Sequence, residues 1–162
     1  MVKIKKDFEV LEHTADIKIK VYGKTLEELF CNAVNGMFQA IGPKIDGCNI
    51  LHDRIVCNNL PIERKVELEA IDMEVLLVNF LSEALYLSDV NNEAYFDLQV
   101  HELKKSFYSF DDSEKDRFKI CATLFGVKVS GFEVVEIKAV TYNDLSLKQI
   151  NGVWQTDIVF DI

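Results

Sequence analysis

Three clusters of polar side chains interrupt an otherwise regular sequence. The first is Glu12-His13-Thr14-Ala15-Asp16. Carboxylate, imidazole and hydroxyl groups this close together suit ligand binding or proton transfer. The plainer reading is a turn in which Thr14 and Asp16 cap nearby backbone amides. The second cluster, Phe160-Asp161-Ile162, sets an acidic side chain beside the terminal carboxylate. Two such charges repel unless a cation, a lysine or water separates them. The plainer reading is a frayed end. Against it, the apolar alternation runs on to Ile162, which is expected to tuck in and fix where Asp161 points. The third cluster is Glu136-Ile137-Lys138-Ala139-Val140-Thr141-Tyr142-Asn143. Strand alternation there puts Glu136, Lys138 and Tyr142 on one face, a pattern that also fits an ordinary surface ion pair beside a tyrosine.

Other chemistries find little support. There is no G-x-S-x-G, and no serine or cysteine stands beside a histidine. His13, His52 and His101 lack metal-ligand spacing, and neither G-x-x-x-x-G-K-[ST] nor G-x-G-x-x-G occurs.

The elements that must hold these clusters can be read from periodicity. Phe8 to Leu11 reads as a short strand. Asp16 to Tyr22 alternates Ile17, Ile19 and Val21 against Asp16, Lys18 and Lys20, the pattern of a half-buried strand. Thr25 and Glu28 form a capping box. Leu26, Leu29, Phe30, Ala33, Met37 and Ile41 follow at helical spacing, until Gly42-Pro43 ends the helix. Lys44 to Leu60 is weakly patterned, with short strand pieces expected around Ile55-Val56. Val66, Leu68 and Ala70 mark another strand. Asp72 is a good N-cap for a second helix, Met73 to about Leu87. Beyond it the chain reads as strands: Phe96, Leu98 and Val100; Phe118, Ile120, Ala122 and Leu124; Val135, Ile137, Ala139 and Thr141. Asp111-Asp112-Ser113-Glu114 reads as a polar loop and Asn151-Gly152 as a hairpin turn. The last strand, Val153 to Ile162, sets Trp154, Ile158, Phe160 and Ile162 against Gln155, Asp157 and Asp161. This order predicts an α+β fold, with two helices packed on a mainly antiparallel or mixed sheet.

Composition bounds the rest. A chain of 162 residues with 49% hydrophobic content can bury a real core and is read as one domain, 1–162. Lys plus Arg is 18 against 27 Asp plus Glu, a net charge of −9. That balance argues against broad contact with nucleic acid phosphates and favours cations or a basic protein partner. Cys31, Cys48, Cys57 and Cys121 form no C-x-x-C. The N-terminus has no signal-peptide core, so the thiols are expected to be reduced and mostly buried in a cytoplasmic protein. No apolar stretch is long enough to span a bilayer.

Taken in order, these motifs resemble the archease family. Glu12-His13-Thr14-Ala15-Asp16, then Gly23-Lys24-Thr25 and its capped helix, match the N-terminal signature. Leu76-Leu77-Val78-Asn79-Phe80-Leu81-Ser82-Glu83-Ala84-Leu85 matches the middle helix. Glu136 to Tyr142 matches the E-I-K-A-V-T-Y strand, and Asp161-Ile162 the terminal D-[IV]. The resemblance implies a strand–helix–strand–strand fold with an inserted module. It also implies a protein that is not itself catalytic but activates the GTP-dependent tRNA-splicing ligase, promoting its guanylylation and multiple turnover, with RNA met only through the ligase. The metal ligands it implies are Asp16, Asp161 and the main-chain carbonyl of Ile162, with Glu12, His13, Lys138 and Tyr142 in support. Oxygen ligands of this kind suit Ca²⁺ or Mg²⁺ rather than zinc. Two departures from the family pattern stand out. Asn143 replaces a histidine and cannot shuttle a proton near neutral pH. Lys44 to Leu60 is longer and more irregular than the usual connection. The alternative from another class is a metal-dependent hydrolase of phosphoesters or nucleotides, using Asp16, Asp161 and His13.

Overall fold

Side-chain caps start both helices. Thr25 Oγ1 accepts a hydrogen bond from the Glu28 N–H (3.1 Å), and Asp72 Oδ1 accepts one from the Val75 N–H (2.7 Å). A computed structural model describes residues 7–11, 15–110, 113–132 and 136–162. Their order is β1 (Phe8–Leu11), β2 (Asp16–Gly23), α1 (Leu26–Ile41), β3 (Pro43–Lys44), β4 (Cys48–Leu51), β5 (Arg54–Cys57), β6 (Ile62–Ala70) and α2 (Met73–Asn91). The chain continues through β7 (Glu93–Phe110), β8 (Ser113–Lys128), β9 (Gly131–Phe132), β10 (Ala139–Val140), β11 (Lys148–Ile150) and β12 (Val153–Asp161). Gly42 and Asn92 close α1 and α2 in the left-handed conformation. The second helix runs past its expected end at Leu87, because the Asn92 N–H returns to the Ser88 carbonyl.

Every strand pair among the described residues is antiparallel. The fold is α+β, as expected, but its sheet is divided. One sheet runs β1-β2-β12-β10, with β11 also on β12, and a second runs β6-β8-β7. Helix α1 packs against β1 and β2 of the first sheet and β7 of the second. Helix α2 packs against β6, β7, β8 and β10. The helices are thereby shared between the sheets, and each sheet keeps one buried face. Phe30 meets Phe80 across the helices at 5.9 Å, and Phe38 meets Tyr95 edge-on at 5.4 Å.

Gly23 is where β2 runs beneath the first turn of α1. A Cβ there would lie 2.4 Å from the Leu29 backbone nitrogen. The glycine of Gly23-Lys24-Thr25 is therefore a packing requirement as well as a turn.

Two expectations need correction. The strand expected through Glu136–Tyr142 shrinks to β10. Both Lys138 and Thr141 N–H groups reach β12, at the carbonyls of Asp161 (2.7 Å) and Val159 (3.0 Å). Four residues, 138–141, thus lie opposite three, 159–161, a bulge that slips the alternation. Ile137 and Val140 are buried and Ala139 is exposed, while Val135 lies outside the described residues. The second correction concerns the thiols. Cys48 and Cys57 are directly opposite in the β4–β5 hairpin and form a disulfide. Cys31 and Cys121 are free and half-buried.

One buried charge ties the second sheet to the end of α2. Glu93 is fully buried; its carboxylate accepts hydrogen bonds from Arg64 Nε (3.0 Å) and Nη2 (2.6 Å), Tyr95 Oη (2.6 Å) and Lys128 Nζ (3.2 Å). Burial pushes the acid up, but Arg64, Tyr95 and Lys128 together hold it down at about 2. A depressed carboxylate stabilises the fold above its unfolded value of 4.5, and that stability is lost as pH falls toward 2. Glu93→Gln is expected to lose on the order of 2 kcal/mol at pH 7 and to flatten the acid limb between pH 4.5 and pH 2. Urea unfolding across that range checks it.

Candidate functional site

The pairing of β2 with β12 brings the two ends of the sequence together. Its register runs from Gly23 opposite Trp154 to Asp16 opposite Asp161. On one face Ile17 meets Phe160, Ile19 meets Ile158 and Val21 meets Thr156. Ile19, Val21, Thr156, Ile158 and Phe160 are buried there. That apolar face fixes the register, since a slip of one residue would turn it to water. The other face therefore carries Asp16, Lys18 and Lys20 against Asp161, Val159 and Asp157.

Asp16 and Asp161 are thus direct cross-strand partners, with side chains about 5 Å apart at Cβ for such a pair. Asp16 is half-buried and Asp161 exposed. The Asp161 carbonyl accepts the Lys138 N–H, and Ala139 stands opposite Asp161 on the far side of β12. Two carboxylates facing each other make a hard-oxygen donor set that fits a Ca²⁺- or Mg²⁺-type cation and leaves most coordination positions open. Among the described residues no group of three or more His, Cys, Asp or Glu could hold a metal ion. This chain's described share of such a site is therefore the carboxylate pair.

The remaining expected residues separate. Glu12 and His13 lie outside the described residues. The Lys138 and Tyr142 side chains are exposed, and Lys138 enters the site through its backbone. Ile162 is 38% exposed, against the expectation that it tucks in. Strand β12 ends at Asp161, where its partner β2 begins at Asp16, so among the described residues none is paired with Ile162.

Lys18, Asp157 and Asp144 are additional members of this charged face. Lys18 Nζ lies 3.3 Å from Asp144 Oδ2 and 3.5 Å from Asp157 Oδ2. Asp144 first, then Asp157, hold the ammonium above the ordinary lysine range. Asp144 is delivered by a turn in which it adopts positive φ and the Asn143 N–H bonds Thr141 Oγ1. The alternation had already placed Lys18 beside Asp16 and Asp157 beside Asp161. Asp144 carried no such signal, because it belongs to a turn. Beyond Ala139, a groove of about 760 Å³ lies between the end of α2 and residues 136–140, lined by Leu85, Tyr86, Asp89, Ile137 and Val140.

Comparison with known proteins adds the family. The profile described as the Archease protein family matches residues 8–162. The chain belongs to the archease family. Protein archease of Methanosarcina mazei is 39% identical over 163 residues, covering 97% of each chain. The protein of the same name from Pyrococcus abyssi is 32% identical over 161 residues, 97% of this chain and 99% of that one. The solution structure of Methanobacterium thermoautotrophicum protein 1598 superposes with a TM-score of 0.63 at 25% identity, covering 96% of this chain and 98% of that chain. A crystal structure from Thermotoga maritima, titled an archease and "possible chaperone", shares the fold at a TM-score of 0.56 and 22% identity, with both chains fully covered. The matched span, residues 8–162, includes both Asp16 and Asp161.

Like charges placed directly opposite destabilise a strand pair. In a chelator, Asp161→Asn is expected to raise stability by about 0.2–1 kcal/mol. Added Ca²⁺ should stabilise the wild type and leave the variant unchanged. Urea unfolding with and without Ca²⁺ checks both halves.

Proposed function

We propose that this protein is a cytoplasmic, metal-binding accessory factor that activates a GTP-dependent tRNA-splicing ligase, and is not itself a catalyst. The observation that carries this reading is the Asp16–Asp161 pair, held by register at the edge of a family-matched fold. The β2–β12 ladder fixes both carboxylates before any cation arrives, which lowers the ordering cost of binding. Asp16 contributes from a half-buried position and Asp161 from an exposed one, so the pair opens toward a partner. The Ile162 carbonyl, next along the chain, is the third donor in this reading. A bound Ca²⁺ or Mg²⁺ would supply positive charge to an acidic surface, with positions left for water or a ligase side chain. Lys18, on the same face of the ladder as the carboxylate pair, is engaged by Asp144 and Asp157.

The accessory role also fits the net charge of −9, which favours a protein partner over direct contact with RNA phosphates. Asn143, where the family usually has histidine, removes one proton-transfer group from this region and argues further against a hydrolase.

The test is a guanylylation assay of the cognate ligase with and without this protein. Wild type should accelerate guanylylation, and Asp16→Asn or Asp161→Asn should cut that stimulation by at least about tenfold, the scale of losing groups that merely support a metal ligand. The protein alone should turn over no phosphoester or nucleotide. Hydrolysis by the isolated protein, lost in Asp16→Asn, would instead establish the hydrolase reading.

A further inference from the structure

We propose that Cys48–Cys57 is a thiol–disulfide exchange site for a dithiol reductant, and that its redox state sets whether the β4–β5 hairpin stays docked on α1 and β1. The pair sits opposite in register with Cα atoms 4.5 Å apart, the narrow spacing of a non-hydrogen-bonded pair. The hairpin forms a two-stranded sheet outside both larger sheets, and such a unit is marginal by itself in water. Its turn, His52-Asp53, holds both residues at positive φ without a glycine. The corresponding turn at Asn151-Gly152 has the glycine that this geometry favours. Ile50, Leu51 and Val56 are exposed, so little apolar burial holds the hairpin down.

Its anchors are instead few and polar. The Ile55 N–H donates to Gln39 Oε1 (2.8 Å), and Gln39 Nε2 donates to the Ile55 carbonyl (2.9 Å). Arg54 donates twice to the Asp7 carboxylate (2.5 and 2.6 Å) and lies over the Phe8 ring at 4.2 Å. All of these anchors fall on Arg54 and Ile55 of β5, and the disulfide ties β4 to that anchored strand at the end of the hairpin away from its turn. Opening the covalent closure returns conformational freedom to residues 48–57.

The disulfide is also reachable. Cys48 lines an open cavity of about 520 Å³ together with Gln39, Gly42, Pro43, Ile45 and Ile55. The other two cysteines are poor competitors. Burial, then Asp97, pushes the Cys31 thiol up to about 11, and burial, then Glu67, raises Cys121, so both stay protonated near neutral pH. In the exchange, a thiolate of the dithiol attacks Cys48 Sγ. The Cys48–Cys57 bond breaks, a mixed disulfide forms, and Cys57 leaves as a thiolate that takes a proton. The reductant's second thiol, losing its proton, then attacks its own mixed-disulfide sulfur and releases Cys48, which is protonated. Two electrons and two protons pass to the protein, and the reductant becomes a disulfide. Glutathione disulfide reverses the sequence.

Trypsin reads the docked state directly, because Arg54 is its cleavage residue and is held by Asp7 and Phe8. Air-oxidised protein should titrate two free thiols of its four cysteines and resist cutting at Arg54–Ile55. Dithiothreitol-treated wild type and the Cys48→Ser/Cys57→Ser variant should both be cut there on the order of tenfold faster, with the helical circular dichroism retained. Cys31→Ser/Cys121→Ser should behave as wild type, and glutathione disulfide should restore resistance to the reduced protein. Four titratable thiols after air oxidation, or equal cutting of oxidised and reduced protein, overturns the proposal.

Discussion

The β2–β12 ladder is the constraint on which the candidate site depends. Its inward face is apolar except for Thr156, running from Ile17 opposite Phe160 through Ile19 opposite Ile158 to Val21 opposite Thr156. Only one register keeps those side chains out of water, and that register places Asp16 opposite Asp161. The apposition of two like charges is thus a consequence of core packing elsewhere on the same strands. Hydrophobic burial holds in place a repulsion that a cation, a lysine or a partner can relieve.

The surrounding charges are sorted by the same geometry. Lys18 lies between the carboxylate pair and Asp157, and two acids already hold it. Glu93, by contrast, is satisfied wholly inside the fold by Arg64, Tyr95 and Lys128, at the junction of α2 with the second sheet. One acidic group is structural because its donors surround it. The Asp16–Asp161 pair lies instead at the end of the ladder, with Asp161 exposed. The β4–β5 hairpin stands apart from both, joined to the core through Gln39 and Arg54 and closed on itself by one disulfide.

Much of this was legible in the residues. Strict alternation marked β2 and β12, and cap chemistry at Thr25 and Asp72 marked both helix starts. Alternation also sorted Asp16, Lys18, Asp157 and Asp161 onto polar faces. What it could not convey were pairings between distant strands. The division into two sheets depends on which strands helices α1 and α2 touch, a property of tertiary contact. The bulge around Lys138 defeated a simple period of two. Cys48 and Cys57 gave no redox signal in their spacing, because their bond depends on the register of a short hairpin with a glycine-free turn. Asp144 was invisible for a related reason, since a turn residue has no period.

The central claim is that register, acting through Asp16 and Asp161, creates a cation site. Calorimetric titration of Ca²⁺ into wild type, Asp16→Asn, Asp161→Asn and Asp157→Asn tests it most directly. Asp157 shares the face but faces Lys20 across the ladder and is already paired with Lys18. The account predicts one saturable site in wild type and in Asp157→Asn, and none in Asp16→Asn or Asp161→Asn. Wild-type binding in either of those last two variants, or equal loss in all three, would contradict it.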